Sequence, residues 1–145
     1  MRELPRQLSV EELAELFEGR TRLVEQLAEQ EHPLEAAADI ARQLSDAEKK
    51  EVLDAHPAIG ARKLSPQSAR EQGADEDPSV LAELERLNRA YEDRFGFRFV
   101  VFVNRRPKSE IVPILRERLE RTREEELATA VDELVAIAID RWRRA

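Results

Sequence analysis

The stretch LNRAYEDRFGFRFVVFV, residues 87–103, decides the fold class. Its first half places Leu87 and Tyr91 on one stripe of a helix that Gly96 ends. Its second half, 97–103, is the one run with the aromatic and β-branched residues typical of a strand. Because the sequence offers no second strand, this run cannot form an ordinary sheet. We therefore predict an all-α fold in which residues 97–103 form a buried extended segment or an unusual helix entry.

Helix start signals divide the rest of the chain. Capping boxes, in which a hydroxyl and a glutamate satisfy free amides at a helix start, are predicted at Ser9–Glu12, Ser45–Glu48 and Thr122–Glu125. Ser65-Pro66 and Asp77-Pro78 are two further starts, with proline at the first helical position. Together these signals predict a bundle of about seven to eight helices without a sheet.

Two prolines set limits on the predicted helices. The helix that starts at Ser45 must stop near His56, because Pro57 pushes the residue before it out of the α region. In the helix predicted from about Ser109 to Leu119, Pro113 is compatible only with the first turn, where no amide is needed.

The composition of the 145 residues fits a single compact domain over residues 1–145. Charged residues make up 38% and hydrophobic residues 41%, as expected for helices with charged outer faces. The net charge of −7 argues against a nucleic-acid partner, which requires a basic surface. The chain has no cysteine, which excludes disulfides, zinc–thiolate sites and thiol nucleophiles.

The sequence also bears on location. No apolar run approaches the roughly 20 residues that a membrane helix needs, so no membrane partner is expected. The N-terminus MRELPRQLSV lacks the apolar core of a signal peptide. We expect a cytoplasmic protein.

His56 is the first candidate for chemistry. It lies at a predicted helix end before Pro57, where a rigid loop can fix an imidazole whose pKa lies near working pH. Taken alone, it can equally be a helix-terminal histidine that interacts with the last carbonyls. His32 also precedes a proline but has no accompanying polar cluster. Two distant histidines make a metal site improbable.

Two further features carry polar groups that can bind a ligand. On a helix, Ser68, Glu71 and Gln72 share one face and can converge on a polar ligand, or they can form a solvated surface. Arg141 lies on the apolar stripe of the last helix, next to Trp142. A charge there is paired, binds an anion, or extends to solvent from the helix end.

The order of these motifs resembles the OHCU decarboxylase family, whose substrate is 2-oxo-4-hydroxy-4-carboxy-5-ureidoimidazoline. The resemblance covers about residues 9 to 143 and departs from the family at Phe17-Glu18-Gly19, where an aromatic- and proline-containing motif is reduced. The motifs that carry it are His56-Pro57-x-Ile59-Gly60, Ser68-x-x-Glu71-Gln72, Leu87-Asn88-x-x-Tyr91-Glu92-x-x-Phe95-Gly96-Phe97-x-Phe99-Val100-Val101, Glu110-Ile111 and Ile137-Ala138-x-x-Arg141.

The resemblance implies a homodimeric enzyme without a cofactor or metal that yields (S)-allantoin and carbon dioxide. It implies that His56 is the catalytic proton donor and that Glu71 is its catalytic polar partner. Arg141 would engage the anionic small-molecule substrate. The implied substrate contacts are Pro57, Ser68, Ala69, Arg70, Glu71, Gln72, Val101, Phe102, Val103, Asn104, Arg105 and Arg141.

Two other functions compete with this one. A non-catalytic helical dimerisation module would leave His56, Glu71 and Arg141 apart on the surface, whereas an enzyme would bring them to one pocket. A decarboxylase of a related ureido acid would share the same motifs.

Overall fold

Seven α-helices form the regular structure of residues 3–59 and 77–144, the part of the chain that the computed structural model describes. No strand occurs in these two ranges, which confirms the predicted all-α class. The predicted helix start at Ser65-Pro66 lies outside the described residues. The helices are α1 (Val10–Phe17), α2 (Arg22–Ala28), α3 (Pro33–Gln43), α4 (Asp46–Asp54), α5 (Pro78–Phe95), α6 (Lys108–Arg118) and α7 (Arg123–Arg144).

The predicted capping signals are confirmed. At the start of α1, the Glu12 amide donates to Ser9 Oγ at 3.1 Å and the Ser9 amide donates to Glu12 Oε1 at 3.0 Å. Ser45 makes the same reciprocal pair at α4, and Thr122 does so before α7. Gly96 ends α5 with φ at 81°, a left-handed conformation that glycine adopts without steric cost.

The prediction for Pro113 is wrong. The helix α6 begins at Lys108, so Pro113 lies in its second turn and not in the first. Proline has no amide hydrogen to donate to the carbonyl four residues earlier, which here belongs to Ser109. Pro113 and Ser109 are both exposed, so water can reach this carbonyl. Burial of Ile111 and Leu115 on the opposite face compensates for the internal proline.

The long helix α7 forms the centre of the packing. It contacts α1, α3 and α4, while α2 contacts α1, α3 and α4, and α5 contacts α6. The face of α7 that includes Leu127, Val131 and Leu134 is buried in the common core. No helix among the described residues is long and apolar enough to cross a membrane.

Residues 97–103 are largely buried and belong to neither a helix nor a strand, as expected for a buried extended segment. The fully buried Glu126 carboxylate accepts hydrogen bonds from Tyr91 Oη at 2.6 Å and Arg118 Nε at 2.7 Å. Arg118 also donates to the Val100 carbonyl at 2.9 Å, and its guanidinium lies 4.6 Å from the centre of the Phe99 ring. Through Arg118, this network holds the segment against α5, α6 and α7.

Candidate active site

A cleft opens where the end of α4, the segment 97–103 and the last helix meet. The lining is mostly apolar, and one imidazole and one guanidinium are its titratable side chains among the described residues, a composition common in sites for small polar ligands. The residues that line it are His56, Pro57, Ile59, Phe99, Val100, Val101, Phe102, Val103, Ile137 and Arg141.

His56 is buried in this cleft, with 5% of its surface exposed. The helix α4 ends just before it, as Pro57 predicts, and the His56 amide closes the end by donating to the Leu53 carbonyl at 3.1 Å. Among the described residues, Nε2 has no hydrogen-bond partner. The pKa of His56 is lowered from 6.5 to about 4, mainly by burial and then by the nearby positive charge of Arg141, against the opposing effect of Glu18. The imidazole is therefore neutral at pH 7.

The loop that carries His56 is held from a neighbouring part of the fold. Arg98 donates a hydrogen bond to the His56 carbonyl and a second one to Glu92 Oε1 at 3.0 Å. Asn88 on α5 donates to the carbonyl of Ile59 at 3.2 Å, and the Ile59 side chain is itself buried. The imidazole is thus attached to a backbone that is fixed on both sides, which limits the positions that it can take in the cleft.

Arg141 brings a buried positive charge to the same cleft. Its side chain is 3% exposed, so the guanidinium does not extend to solvent from the helix end. One terminal nitrogen donates to the Leu16 carbonyl at 3.0 Å, and the other lies 3.0 Å from Glu18 Oε1. A buried guanidinium that is held in this way can present a fixed fork to a carboxylate.

The cleft unites several of the residues that the sequence singled out. Asn104 and Arg105 are not among its lining residues, because both are exposed in a turn with φ at 50° and 64°. The run from Ser68 to Gln72, which includes Ala69, Arg70 and Glu71, lies outside the described residues. The predicted residues that do line the cleft are His56, Pro57, Val101, Phe102, Val103 and Arg141.

Sequence reasoning missed the contact between Glu18 and Arg141, because it joins opposite ends of the chain. It also missed that Ile59 and Ile137 form apolar walls of the cleft, although both residues belong to the motifs quoted above. Within residues 3–59 and 77–144, no three His, Asp or Glu side chains are grouped so that they could hold a metal ion.

Known proteins are similar to this chain in both sequence and fold. The OHCU decarboxylase family model matches residues 2–143. A 2-oxo-4-hydroxy-4-carboxy-5-ureidoimidazoline decarboxylase from Halalkalicoccus jeotgali is 32% identical over 109 residues, which are 72% of this chain and 62% of the relative. A uric acid degradation bifunctional protein from Bacillus subtilis is 30% identical over 154 residues, which cover 95% of this chain and 30% of the relative. The chain thus spans less than two thirds of the length of these curated relatives.

A solved structure agrees with the sequence matches. The crystal structure of an OHCU decarboxylase in the presence of (S)-allantoin has a TM-score of 0.75 and 25% identity to this chain. The match covers 90% of this chain and 94% of that one. With a family model matched over nearly its whole length and the same helical fold in a solved protein, the chain belongs to the OHCU decarboxylase family.

Proposed function

We propose that this chain catalyses the decarboxylation of 2-oxo-4-hydroxy-4-carboxy-5-ureidoimidazoline to (S)-allantoin and carbon dioxide. The observation that carries the proposal is the placement of a buried imidazole and a buried guanidinium on one cleft. Such convergence argues against a non-catalytic helical module, which has no use for two buried polar groups at one apolar cleft.

Arg141 binds the carboxylate of the substrate in this proposal. The guanidinium is already desolvated, so its interaction with an anion in the cleft is stronger than it would be in water. A planar fork also orients a carboxylate, which helps to keep the breaking carbon–carbon bond out of the plane of the ring.

His56 moves the proton. During the reaction the hydroxyl at C4 of the ring becomes a carbonyl and loses a proton, whereas C5 gains one. The ring nitrogen of the C=N bond takes up a further proton from solvent, which balances the negative charge of the carboxylate that leaves as carbon dioxide. Because the buried imidazole is neutral at pH 7, it can first accept the hydroxyl proton and then donate it to C5. Donation from one fixed side of the cleft would set the S configuration of the product.

The remaining contacts complete the proposal. Glu71 orients His56, while the run from Ser68 to Gln72 binds the ring and the ureido group. Val101, Phe102 and Val103, which line the cleft, contact the substrate mainly through their backbone. The C=N bond of the imidazoline ring accepts the electron pair that carbon dioxide leaves behind, so the substrate itself provides the electron sink and no cofactor is required.

The activity test generates the unstable substrate in place from urate, with urate oxidase and the ring-opening hydrolase. Loss of the substrate is followed by absorbance and formation of allantoin by circular dichroism, with and without this protein. The proposal predicts faster loss and optically pure (S)-allantoin. Decay at the spontaneous rate to racemic product, from protein whose circular dichroism shows it to be folded, would contradict it.

A related ureido or imidazoline acid is the second candidate substrate, because the same cleft could accept one. A panel of such acids, each assayed for release of carbon dioxide, separates the two. The main proposal predicts the highest kcat/KM for the urate-derived substrate.

We also propose that the protein is a homodimer in the cytoplasm. The family resemblance supports the dimer. Light scattering coupled to gel filtration is expected to give twice the chain mass of 16.7 kDa. A mass equal to one chain would contradict the dimer.

A further inference from the structure

Glu18 adopts a backbone conformation that does not suit a glutamate. It follows the last residue of α1 and has φ at 65°, in the left-handed region. In this region a Cβ atom clashes with the backbone, which is why helices commonly end on glycine at such a position. A glutamate in this strained conformation indicates that its side chain makes an interaction that glycine could not make.

The carboxylate of Glu18 is directed at Arg141. Glu18 Oε1 lies 3.0 Å from one terminal nitrogen of the guanidinium, and the Glu18 side chain is only 13% exposed. The Leu16 carbonyl, two residues earlier, accepts from the other terminal nitrogen at 3.0 Å. Contacts on two different nitrogens hold the plane of a guanidinium more firmly than a contact on one nitrogen does.

The end of α1 also lies beside the end of α4. A Cβ atom added to Gly19 would be 3.6 Å from the Cβ of Ala55, the residue before His56. Glu18 does not line the described cleft, whereas Arg141 does. The carboxylate thus contacts the guanidinium without occupying the cleft.

We propose that Glu18 is a positioning residue, which together with the Leu16 carbonyl fixes the Arg141 guanidinium for the carboxylate of the substrate. The ligand class follows from the proposed function, on which this inference rests. Glu18 lies outside the cleft lining and positions the substrate through its contact with Arg141. Its negative charge also balances the positive charge of Arg141, which lowers the free-energy cost of burying that cation.

The test compares Glu18→Gly and Glu18→Gln with Glu15→Gln. Glycine removes the side chain and accepts the left-handed backbone without strain, so a loss of function cannot be ascribed to a strained helix end. Glutamine keeps an oxygen that accepts from Arg141. Glu15 is exposed on the same helix and serves as the matched control.

Steady-state kinetics on the urate-derived substrate provide the first measurement. Glu18→Gly is expected to raise KM by about tenfold, the effect of about 1.4 kcal/mol of lost binding, with a much smaller change in kcat. Glu18→Gln is expected to restore most of this loss, and Glu15→Gln to match the wild type. A wild-type KM in Glu18→Gly, or equal damage in both Glu18 variants, would overturn the inference.

Nitrogen NMR of the arginine side chains provides the second measurement, which does not depend on activity. The fixed guanidinium of Arg141, assigned with Arg141→Lys, is expected to show separate resonances for its two terminal nitrogens. In Glu18→Gly these resonances are expected to exchange faster, because one of the contacts that hold the group is lost. An exchange rate in Glu18→Gly equal to that of the wild type would overturn the inference even if the wild type proved inactive, an outcome that on its own would refute only the proposed function.

Discussion

Replacing Glu126 by leucine tests the buried network that holds the segment 97–103 against the helices. Glu126 is fully buried and accepts hydrogen bonds from Tyr91 and Arg118, and Arg121 donates to its second oxygen at 3.1 Å. Leucine fills a similar volume but leaves the Arg118 guanidinium, only 6% exposed, without its anion. Breaking a buried ion pair by removing one partner costs about 3–5 kcal/mol.

The loss is measured as the free energy of unfolding in urea, followed by circular dichroism at 222 nm. For a slope of about 2 kcal/mol per M of urea, a loss of about 3–5 kcal/mol lowers the unfolding midpoint by about 1.5–2.5 M. Activity is expected to fall as well, because Arg118 holds the Val100 carbonyl in the cleft wall.

Glu124→Leu is the matched control, since Glu124 lies two residues earlier on α7 and is exposed. Its effect on stability is expected to stay within about 1 kcal/mol, as for a surface charge in the first turn of a helix. If Glu126→Leu changed the midpoint as little as Glu124→Leu does, the network would not stabilise the fold and the reasoning would be refuted.

Two further predictions concern His56 and its loop. Between pH 6.5 and about 4 the unfolded chain binds a proton at His56 that the folded protein does not, so His56 makes the folded state lose stability as the pH falls. Urea unfolding of the wild type should therefore lose about 2–3 kcal/mol more than His56→Asn on going from about pH 7 to about 4.5, and equal losses would refute the burial of a neutral imidazole. Asn88→Ala removes the hydrogen bond to the Ile59 carbonyl and is expected to lower stability by about 1 kcal/mol and to reduce kcat. A kcat equal to that of the wild type would show that this bond does not position His56.

The helix starts could be predicted because capping is local. Ser9 and Ser45 each satisfy amides within the same turn of helix, so the signal and the structure lie in one short window. Pro113 was misplaced for the opposite reason. A proline is tolerated there because the opposite face of α6 is buried, and a rule about the first turn of a helix takes no account of such burial.

The site was predictable where a residue carries its own signal. His56 precedes a proline, and Arg141 interrupts an apolar stripe, so both stood out before the fold was known. Glu18 and Glu126 did not stand out, because a sequence with many glutamates does not show which of them are buried. Their partners come close only in the folded chain, and the sequence has no local pattern for such pairs.

Proton transfer by His56 in a stereospecific decarboxylation is tested most directly by the circular dichroism of the allantoin formed by His56→Asn and by His32→Asn. Both histidines precede a proline, but His32 is exposed at the start of α3 and is not among the residues that line the cleft. If His56 transfers the proton, His32→Asn forms optically pure (S)-allantoin, and folded His56→Asn forms racemic product slowly. Fast, optically pure product from His56→Asn would contradict it.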